Sequence, residues 1–373
     1  MEQFIAAFIG FLEIFVVTLR PISFIWPFNN VSIMLNFKKL YPWGLGAFII
    51  AILGMIVLYT FAPASKLSDS AFLYIDDDDD IDSISAKLDT ICHTYGTAGI
   101  MTMARHTGYA DHIRTGRYEI KPSEGAFFIY RHLRNGHQSA VKLTIPPVRT
   151  TDRLAEALAS KLMMTKDDLL DHLTSNDSLA PYKTDTTNVI CLFIPNTYEI
   201  YWNITPKQLL RRMADESKAF WNGTRAAQAQ ALGLTPEEVI TLASIIDEET
   251  ANDAEKPMIA GMYYNRLQKG MPLQADPTVK YALGDFSIKR IYNNMLRTVS
   301  PYNTYMNVGL PPGPIRIPTI AGIEAVLNMT RHDYLYMCAK EDFSGSHNFA
   351  RTYQEHLANA AKYSAALNAR QIK

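Results

Sequence analysis

The chain has 373 residues, nearly equal numbers of acidic and basic side chains, and a formal net charge of −1 at pH 7. This length is sufficient for two modest domains, each with its own hydrophobic core. The composition argues against nucleic acid as a partner, because there is no overall basic excess. The three cysteines are widely spaced and no two histidines lie one helical turn apart. The sequence therefore indicates neither a disulfide framework nor a metal site.

The first 42 residues are compatible with more than one interpretation. Residues 4–19 are strongly apolar, but they are few for a membrane span, and Glu13 would be costly at the bilayer centre. Residues 4–19 have three possible interpretations: a second membrane segment, an interfacial helix, or sequence upstream of a true start at Met34. We favour the third interpretation.

Residues 43–63 contain no charged side chain and predict a transmembrane helix. About 20 residues at about 1.5 Å each match a hydrocarbon core of about 30 Å. The alternative is a buried helix of a soluble protein. Lys38 and Lys39 precede the segment and a largely acidic stretch follows it, so the positive-inside rule places residues 1–42 in the cytoplasm. We expect a single-pass protein with its remaining residues outside.

Residues 68–147 are expected to form a small α+β subdomain. The aspartates at 76–80 and Asp82 are too contiguous for a calcium loop, so we interpret them as a solvated acidic run between a strand and a helix. The predicted elements are a helix over 81–95, a strand over 116–120, a helix over 126–133 that ends at Asn135-Gly136, and a strand over 141–145.

Residues 148–373 are expected to form a mixed α/β domain. Helices are predicted over 152–162, 166–173, 205–230 and 319–327, with a polar helix from 352 onward, and strands over 189–193 and 334–339. The segment from 269 to 313 is rich in Gly, Pro, Asn and Tyr, which is typical of a loop. A loop of this length in a compact domain is usually functional, so we expect it to form a cleft.

The helix that starts at Thr235 carries the strongest catalytic candidate, Glu249. At about 100° per residue, Glu249 shares the apolar face of the helix, whereas Glu248 points away. The apolar members of that face are Val239, Leu242 and Ile246. Burial disfavours the charged form of a carboxyl group and raises its pKa, as a general acid requires. The alternative is that Asp247, Glu248 and Glu249 form one solvated acidic patch.

An ordered series of short blocks surrounds this glutamate. The blocks are Phe193-Ile-Pro-Asn-Thr-Tyr198, Leu242-Ala-Ser-Ile-Ile-Asp-Glu-Glu-Thr250, Asn265-Arg-Leu267, residues 270–281, Pro301-Tyr-Asn-Thr-Tyr305, residues 309–315 and His347-Asn-Phe349. The series resembles the MltG (YceG-like) family of membrane-anchored endolytic murein transglycosylases. The resemblance covers most of residues 68–360. That family usually has Glu-Lys where this chain has Asp247-Glu248.

The resemblance implies that Glu249 is the catalytic acid/base. It would protonate the glycosidic oxygen between MurNAc and GlcNAc, and its carboxylate would then take the proton of the C6 hydroxyl as a 1,6-anhydro ring closes. Such a reaction on nascent peptidoglycan strands terminates their elongation and needs no metal or cofactor. The resemblance further implies a LysM-like fold for residues 68–147, location in the bacterial inner membrane with an extracytoplasmic catalytic domain, and peptidoglycan synthases as candidate partners.

Supporting residues are predicted within the long loop. Gln274, Asp276, Tyr302, Asn303 and Tyr305 are candidates for sugar binding, because they combine stacking faces with hydrogen-bonding groups. The alternatives are that Asp276 caps a turn and that the tyrosines are buried and hold the loop in place.

Three further residues are assigned supporting roles. Asn265 and Arg266 are predicted to lie on a continuation of the Glu249 helix, where Arg266 either orients the active-site loop or forms a surface salt bridge. We interpret His347 as structural.

Tyr118 and Phe128 are candidates for sugar stacking in the small subdomain, with a core position as the alternative.

Two other functions remain open at this point. A scaffold that retains a glycan cleft would bind strands without shortening them. A hydrolase in which Asp276 or Asp247 activates water would leave reducing ends instead of anhydro ends.

Overall fold

The protein is described here by a computed structural model that covers residues 37–288 and 290–370. The predictions for residues 1–36, including the apolar stretch at 4–19 and Met34, lie outside the described residues. By compactness the chain divides into Met1–Leu58, of which residues 37–58 are described, and Tyr59–Lys373. The elements of the described chain alternate between helices and short antiparallel strand pairs, so the predicted mixture of α and β structure is confirmed.

A long apolar helix, α1 (Phe37–Phe61), begins the described chain. Its stretch Gly44–Phe61 is long and apolar enough to cross a membrane, and its side chains are largely exposed. The helix coincides with the predicted segment at 43–63. Its exposure argues against the alternative of a buried core helix.

Residues 64–135 form a small α+β region. Its elements are β1 (Ala71–Ile75), α2 (Ile81–Ile91), α3 (Thr94–His106), β2 (Gly116–Ile120) and α4 (Ala126–Asn135). Strands β1 and β2 pair antiparallel, with Ala71 opposite Ile120, and all three helices pack on one buried cluster. The acidic run is partly structural: Asp80 caps α2, and Asp79 forms an ion pair with Lys87. Helix α3 was not predicted from the sequence.

The next part of the chain surrounds a second buried cluster. Its elements are β3 (Val141–Thr144), α5 (Thr151–Ala159), α6 (Lys166–Leu173), α7 (Asn176–Leu179), β4 (Thr197–Ile200) and α8 (Pro206–Phe220). The next helix, α9 (Thr224–Ala231), contributes Ala229 to the largest cluster, which the following part of the chain surrounds. Strands β3 and β4 pair antiparallel, with Val141 opposite Ile200. The strand predicted over 189–193 is wrong, since Val189–Leu192 is a 3-10 helix. A short apolar run has no periodicity that separates the two states.

The third part contains the longest buried helix. Its elements are α10 (Pro236–Glu249), α11 (Lys256–Gln268), α12 (Asp276–Leu283), α13 (Ile320–Leu327), β5 (Tyr336–Ala339), β6 (His347–Ala350) and α14 (Tyr353–Ala369). Strands β5 and β6 pair antiparallel. Every residue of α10 from Val239 to Ile246 is buried, and the apolar ones belong to the largest cluster.

Two predictions for this part need correction. Glu249 ends α10, because Thr250 is extended (φ −144°, ψ 139°) and a new helix begins at Lys256 with proline in its first turn. Asn265 and Arg266 therefore lie on α11 and not on a continuation of the Glu249 helix. The segment from 269 to 313 is also not all loop, since it contains α12.

Candidate active site

Glu249 stands at the C-terminal end of α10 and borders a cleft. The helix begins as predicted, with Pro236 at its first position and a capping box in which Glu238 and Thr235 each accept a hydrogen bond from the other's backbone N–H (2.8 and 3.2 Å). The buried face of α10 then fixes the position of its last residue. Glu249 is half-buried and lines a cavity of about 350 Å³.

The environment of Glu249 favours its protonated form. Burial raises the pKa of the Glu249 carboxyl to about 7, and the nearby negative charge of Asp276 acts in the same direction. The Tyr263 hydroxyl opposes this shift, because it donates a hydrogen bond to Glu249 Oε1 (2.7 Å) and stabilises the carboxylate. At neutral pH the group can therefore both donate and accept a proton, as an acid/base catalyst must.

Tyr263 was not predicted from the sequence. It lies on α11, is 2% exposed, and belongs to the core that supports the cleft. Burial raises the pKa of its phenol well above the ordinary value, so the hydroxyl remains a donor. Its position two residues before the Asn265-Arg266 block was the available signal in the sequence.

Three of the predicted sugar-binding residues line the same cleft as Glu249. These are Gln274, Asp276 and Tyr305. Gln274 has a positive φ of 54°, and Asp276 begins α12, where its Oδ1 accepts a hydrogen bond from the Tyr305 hydroxyl (2.6 Å). The structure thus places an amide, a carboxylate and a phenol at the opening beside the acid.

Arg266 and Asn265 hold the walls of the cleft in place. Arg266 is 6% exposed and donates to the carbonyl oxygens of Pro272 (3.0 Å) and Leu335 (2.9 Å) and to Gln274 Oε1 (2.6 Å). Asn265 donates to the carbonyl oxygens of His332 (2.7 Å) and Tyr334 (3.0 Å). Arg266 therefore orients the loop, and the alternative of a surface salt bridge is wrong.

Tyr302 and Asn303 lie away from the lining of this cleft. Asn303 is fully buried and donates to the carbonyl oxygens of Leu296 (3.0 Å) and Thr298 (2.8 Å). The Tyr302 ring packs against that of Tyr281 at 4.7 Å between ring centroids. Their contacts hold the loop together, which was the alternative stated for the tyrosines.

Comparison with known proteins decides the family. The model of the YceG-like family matches residues 73–362. The chain belongs to the YceG-like family. Among its relatives, proteins named endolytic murein transglycosylase occur in Bacillus subtilis strain 168 (29% identity, 69% of this chain, 75% of the relative) and in Streptococcus pneumoniae R6 (28% identity, 70% of this chain, 52% of the relative). The chain spans about half the length of the pneumococcal protein.

A solved YceG-like protein from Listeria monocytogenes has a similar fold. It is 26% identical, with a TM-score of 0.52, and the match covers 78% of this chain and 99% of that protein. The fold described above is therefore a YceG-like fold.

In this YceG-like chain, the two acids before Glu249 have structural partners. Asp247 has a side chain 2% exposed, forms an ion pair with Lys256 Nζ (2.7 Å), and accepts a hydrogen bond from the backbone N–H of Thr319. Glu248 accepts hydrogen bonds from Arg149 (2.9 and 2.8 Å) and Arg316 (3.0 Å). The alternative of one solvated acidic patch is therefore wrong.

His347 lines the YceG-like cleft and contacts a neighbouring acid, Glu255. His347 Nδ1 lies 2.9 Å from Glu255 Oε2, and its backbone N–H donates to Glu255 Oε1 (2.6 Å). Within the described residues, no group of three or more His, Cys, Asp or Glu side chains could hold a metal ion. The raised pKa of Glu249 and its hydrogen bond from Tyr263 equip this cleft for proton transfer.

Proposed function

We propose that the chain is a membrane-anchored endolytic murein transglycosylase that cleaves the MurNAc-GlcNAc bond of nascent peptidoglycan strands and so terminates their elongation. The observation that carries the proposal is the position of Glu249, a carboxyl with a raised pKa in the cleft of a YceG-like chain. The curated relatives are named as enzymes, which favours catalysis over a scaffold that only binds glycan.

The proposed reaction uses one carboxyl group twice. Protonated Glu249 donates its proton to the leaving glycosidic oxygen as the bond from that oxygen to C1 of MurNAc breaks. The resulting carboxylate takes the proton of the C6 hydroxyl as O6 bonds to C1 and the 1,6-anhydro ring closes. Glu249 is then protonated again, so no water, metal or cofactor is consumed.

The cleft residues divide into two groups in this proposal. Gln274, Asp276 and Tyr305 contact the sugar, because they line the cleft with polar groups. Tyr302, Asn303, Asn265 and Arg266 position the walls, and Tyr263 orients Glu249. In the hydrolase alternative, Asp276 is the carboxylate that would activate water. Asp247, the other candidate for that role, is held in an ion pair with Lys256.

The apolar helix α1 supports a membrane location. We place it across the bacterial inner membrane, with Lys38 and Lys39 on the cytoplasmic side and the cleft outside, where it meets peptidoglycan strands and peptidoglycan synthases. The order strand-helix-helix-strand in residues 71–120 supports a LysM-like subdomain. Tyr118 is 1% exposed and belongs to the core there, so of the two aromatic candidates only Phe128 remains at the surface.

Mass spectrometry of the products tests this proposal. Full-length protein in detergent is incubated with uncrosslinked peptidoglycan strands. We expect internal cleavage with 1,6-anhydro-MurNAc ends. Reducing ends would indicate the hydrolase, and intact strands that nevertheless bind the protein would indicate the scaffold.

A further inference from the structure

Three phenylalanine rings form an exposed patch at the start of the small α+β region. Phe61, Phe127 and Phe128 are 50%, 37% and 43% exposed, and their ring centroids lie 5.6 to 6.1 Å apart in every pairing. We call these three residues the phenylalanine patch. Adjacent exposed aromatic rings usually mark a surface that contacts a membrane or another molecule.

The phenylalanine patch lies at the point where the apolar helix ends. Phe61 is the last residue of α1. The chain then enters the small region without a linker, since Pro63 pairs with Gly125 and the Ala64 N–H donates to the Glu124 carbonyl (2.8 Å). A Cβ at Gly125 would stand 2.7 Å from Phe61 Cα, so the two backbones touch. Phe127 and Phe128 are therefore held beside the end of the candidate span.

The same face of α4 continues as a basic surface. Arg131 and Arg134 are exposed one and two turns after the two phenylalanines, whereas Ile129, Tyr130 and Leu133 are buried. A helix with aromatic residues at one end of its outer face and arginines beyond them suits the boundary between acyl chains and anionic headgroups.

We propose that the phenylalanine patch inserts into the outer-leaflet interface of the membrane and that Arg131 and Arg134 bind the phosphates of anionic lipids. This inference rests on the proposed membrane anchorage by α1. It adds a second lipid contact, which holds the small region against the bilayer surface.

Lipid-depth measurements on the full-length protein in vesicles test this contact. The vesicles contain phosphatidylglycerol and phosphatidylcholine with nitroxide-labelled acyl chains. Cys92 and Cys191 are buried, so Cys338→Ser provides a background for single cysteines that carry an environment-sensitive fluorophore. The reporter is Phe128→Cys, the exposed control is Val299→Cys (97% exposed), and Leu53→Cys reports on the span itself.

We expect blue-shifted emission and several-fold stronger lipid quenching at position 128 than at position 299. Adding Arg131→Glu and Arg134→Glu should reduce quenching at 128 while leaving quenching at 53 unchanged. Equal quenching at 128 and 299, with strong quenching at 53, would overturn the lipid contact and leave the anchor intact. Weak quenching at 53 would overturn the anchor together with this inference, whereas the product assay would still report on the enzyme.

Discussion

At the scale of single residues, the proposed chemistry depends on a carboxyl group whose pKa lies near neutral pH. Burial raises the pKa of Glu249 to about 7, and the hydrogen bond from Tyr263 limits that rise. The acid must be protonated to donate, so activity should fall as the pH increases through about 7.

Glu249 itself was predictable, because helix periodicity places it on a buried face. Tyr263 was not, because its role exists only where α11 crosses the end of α10.

The variant Tyr263→Phe should move this fall in activity to higher pH. Removing the donor destabilises the carboxylate, which raises the pKa of Glu249 further, by about 0.7 pH unit for a lost hydrogen bond of about 1 kcal/mol. The pH profile of kcat/KM for strand cleavage measures the shift.

Tyr264→Phe is the matched control for this profile. Tyr264 is the next residue of α11, and its hydroxyl donates to the carbonyl oxygen of Leu232 (2.9 Å) instead of Glu249. Its profile should match that of the wild type. If both variants keep the wild-type profile, Tyr263 does not set the protonation of Glu249.

At the scale of elements, helices with explicit start signals were predicted best. Among the described residues, five helices begin with a capping box, and helix α10 follows Thr235 as the sequence predicted. The wrong predictions fall where tertiary contacts determine the backbone conformation. Val189–Leu192 is a buried apolar run that forms a 3-10 helix instead of a strand. Helix α10 ends after Glu249 although no glycine follows to mark a helix end. Ion pairs such as Glu248 with Arg149 join residues 99 positions apart, which local patterns cannot reveal.

Asp247 should be a strong determinant of stability, because it joins three helices. It lies on α10, pairs with Lys256 on α11, and caps α13 through Thr319. Asp247→Ala leaves Lys256 buried with less compensation, and should lower the free energy of unfolding by about 3–5 kcal/mol.

Asp253→Ala provides the control for that measurement. Asp253 also pairs with Lys256 (2.6 Å), but its side chain is 68% exposed, so its loss should cost less than about 1 kcal/mol. Denaturant unfolding of both variants in detergent gives the comparison. Equal losses of unfolding free energy in the two variants would show that the buried Asp247–Lys256 pair stabilises the fold no more than the exposed Asp253–Lys256 pair.

Asn303 should act on the loop and not on the sugar. Its buried amide joins the carbonyl oxygens of Leu296 and Thr298, so Asn303→Ala should reduce stability by about 1–3 kcal/mol. Asp276→Asn, in the cleft lining, should instead preserve stability and reduce kcat/KM. Thermal unfolding and cleavage rates distinguish a role in stability from a role in sugar binding. An Asn303→Ala variant that is stable but inactive would show that Asn303 contacts the sugar.

At the scale of the whole molecule, the chain combines a candidate anchor, a small α+β region and a cleft that belongs to a YceG-like fold. The short blocks along the chain were sufficient to indicate the family, because several of them occur in order. The walls of the cleft were less predictable, since contacts such as His347 with Glu255 link residues 92 positions apart. The phenylalanine patch likewise exists only because Gly125 lets α4 approach the end of α1.

The central claim is that Glu249 is the single acid/base of an anhydro-forming cleavage. Its most direct test compares full-length wild type with Glu249→Gln on uncrosslinked strands, with 1,6-anhydro-MurNAc ends counted by mass spectrometry and folding checked by thermal unfolding. A folded variant whose rate is lower by at least about 10²–10⁴-fold is the predicted result. A folded variant that still forms anhydro ends at the wild-type rate would contradict the claim.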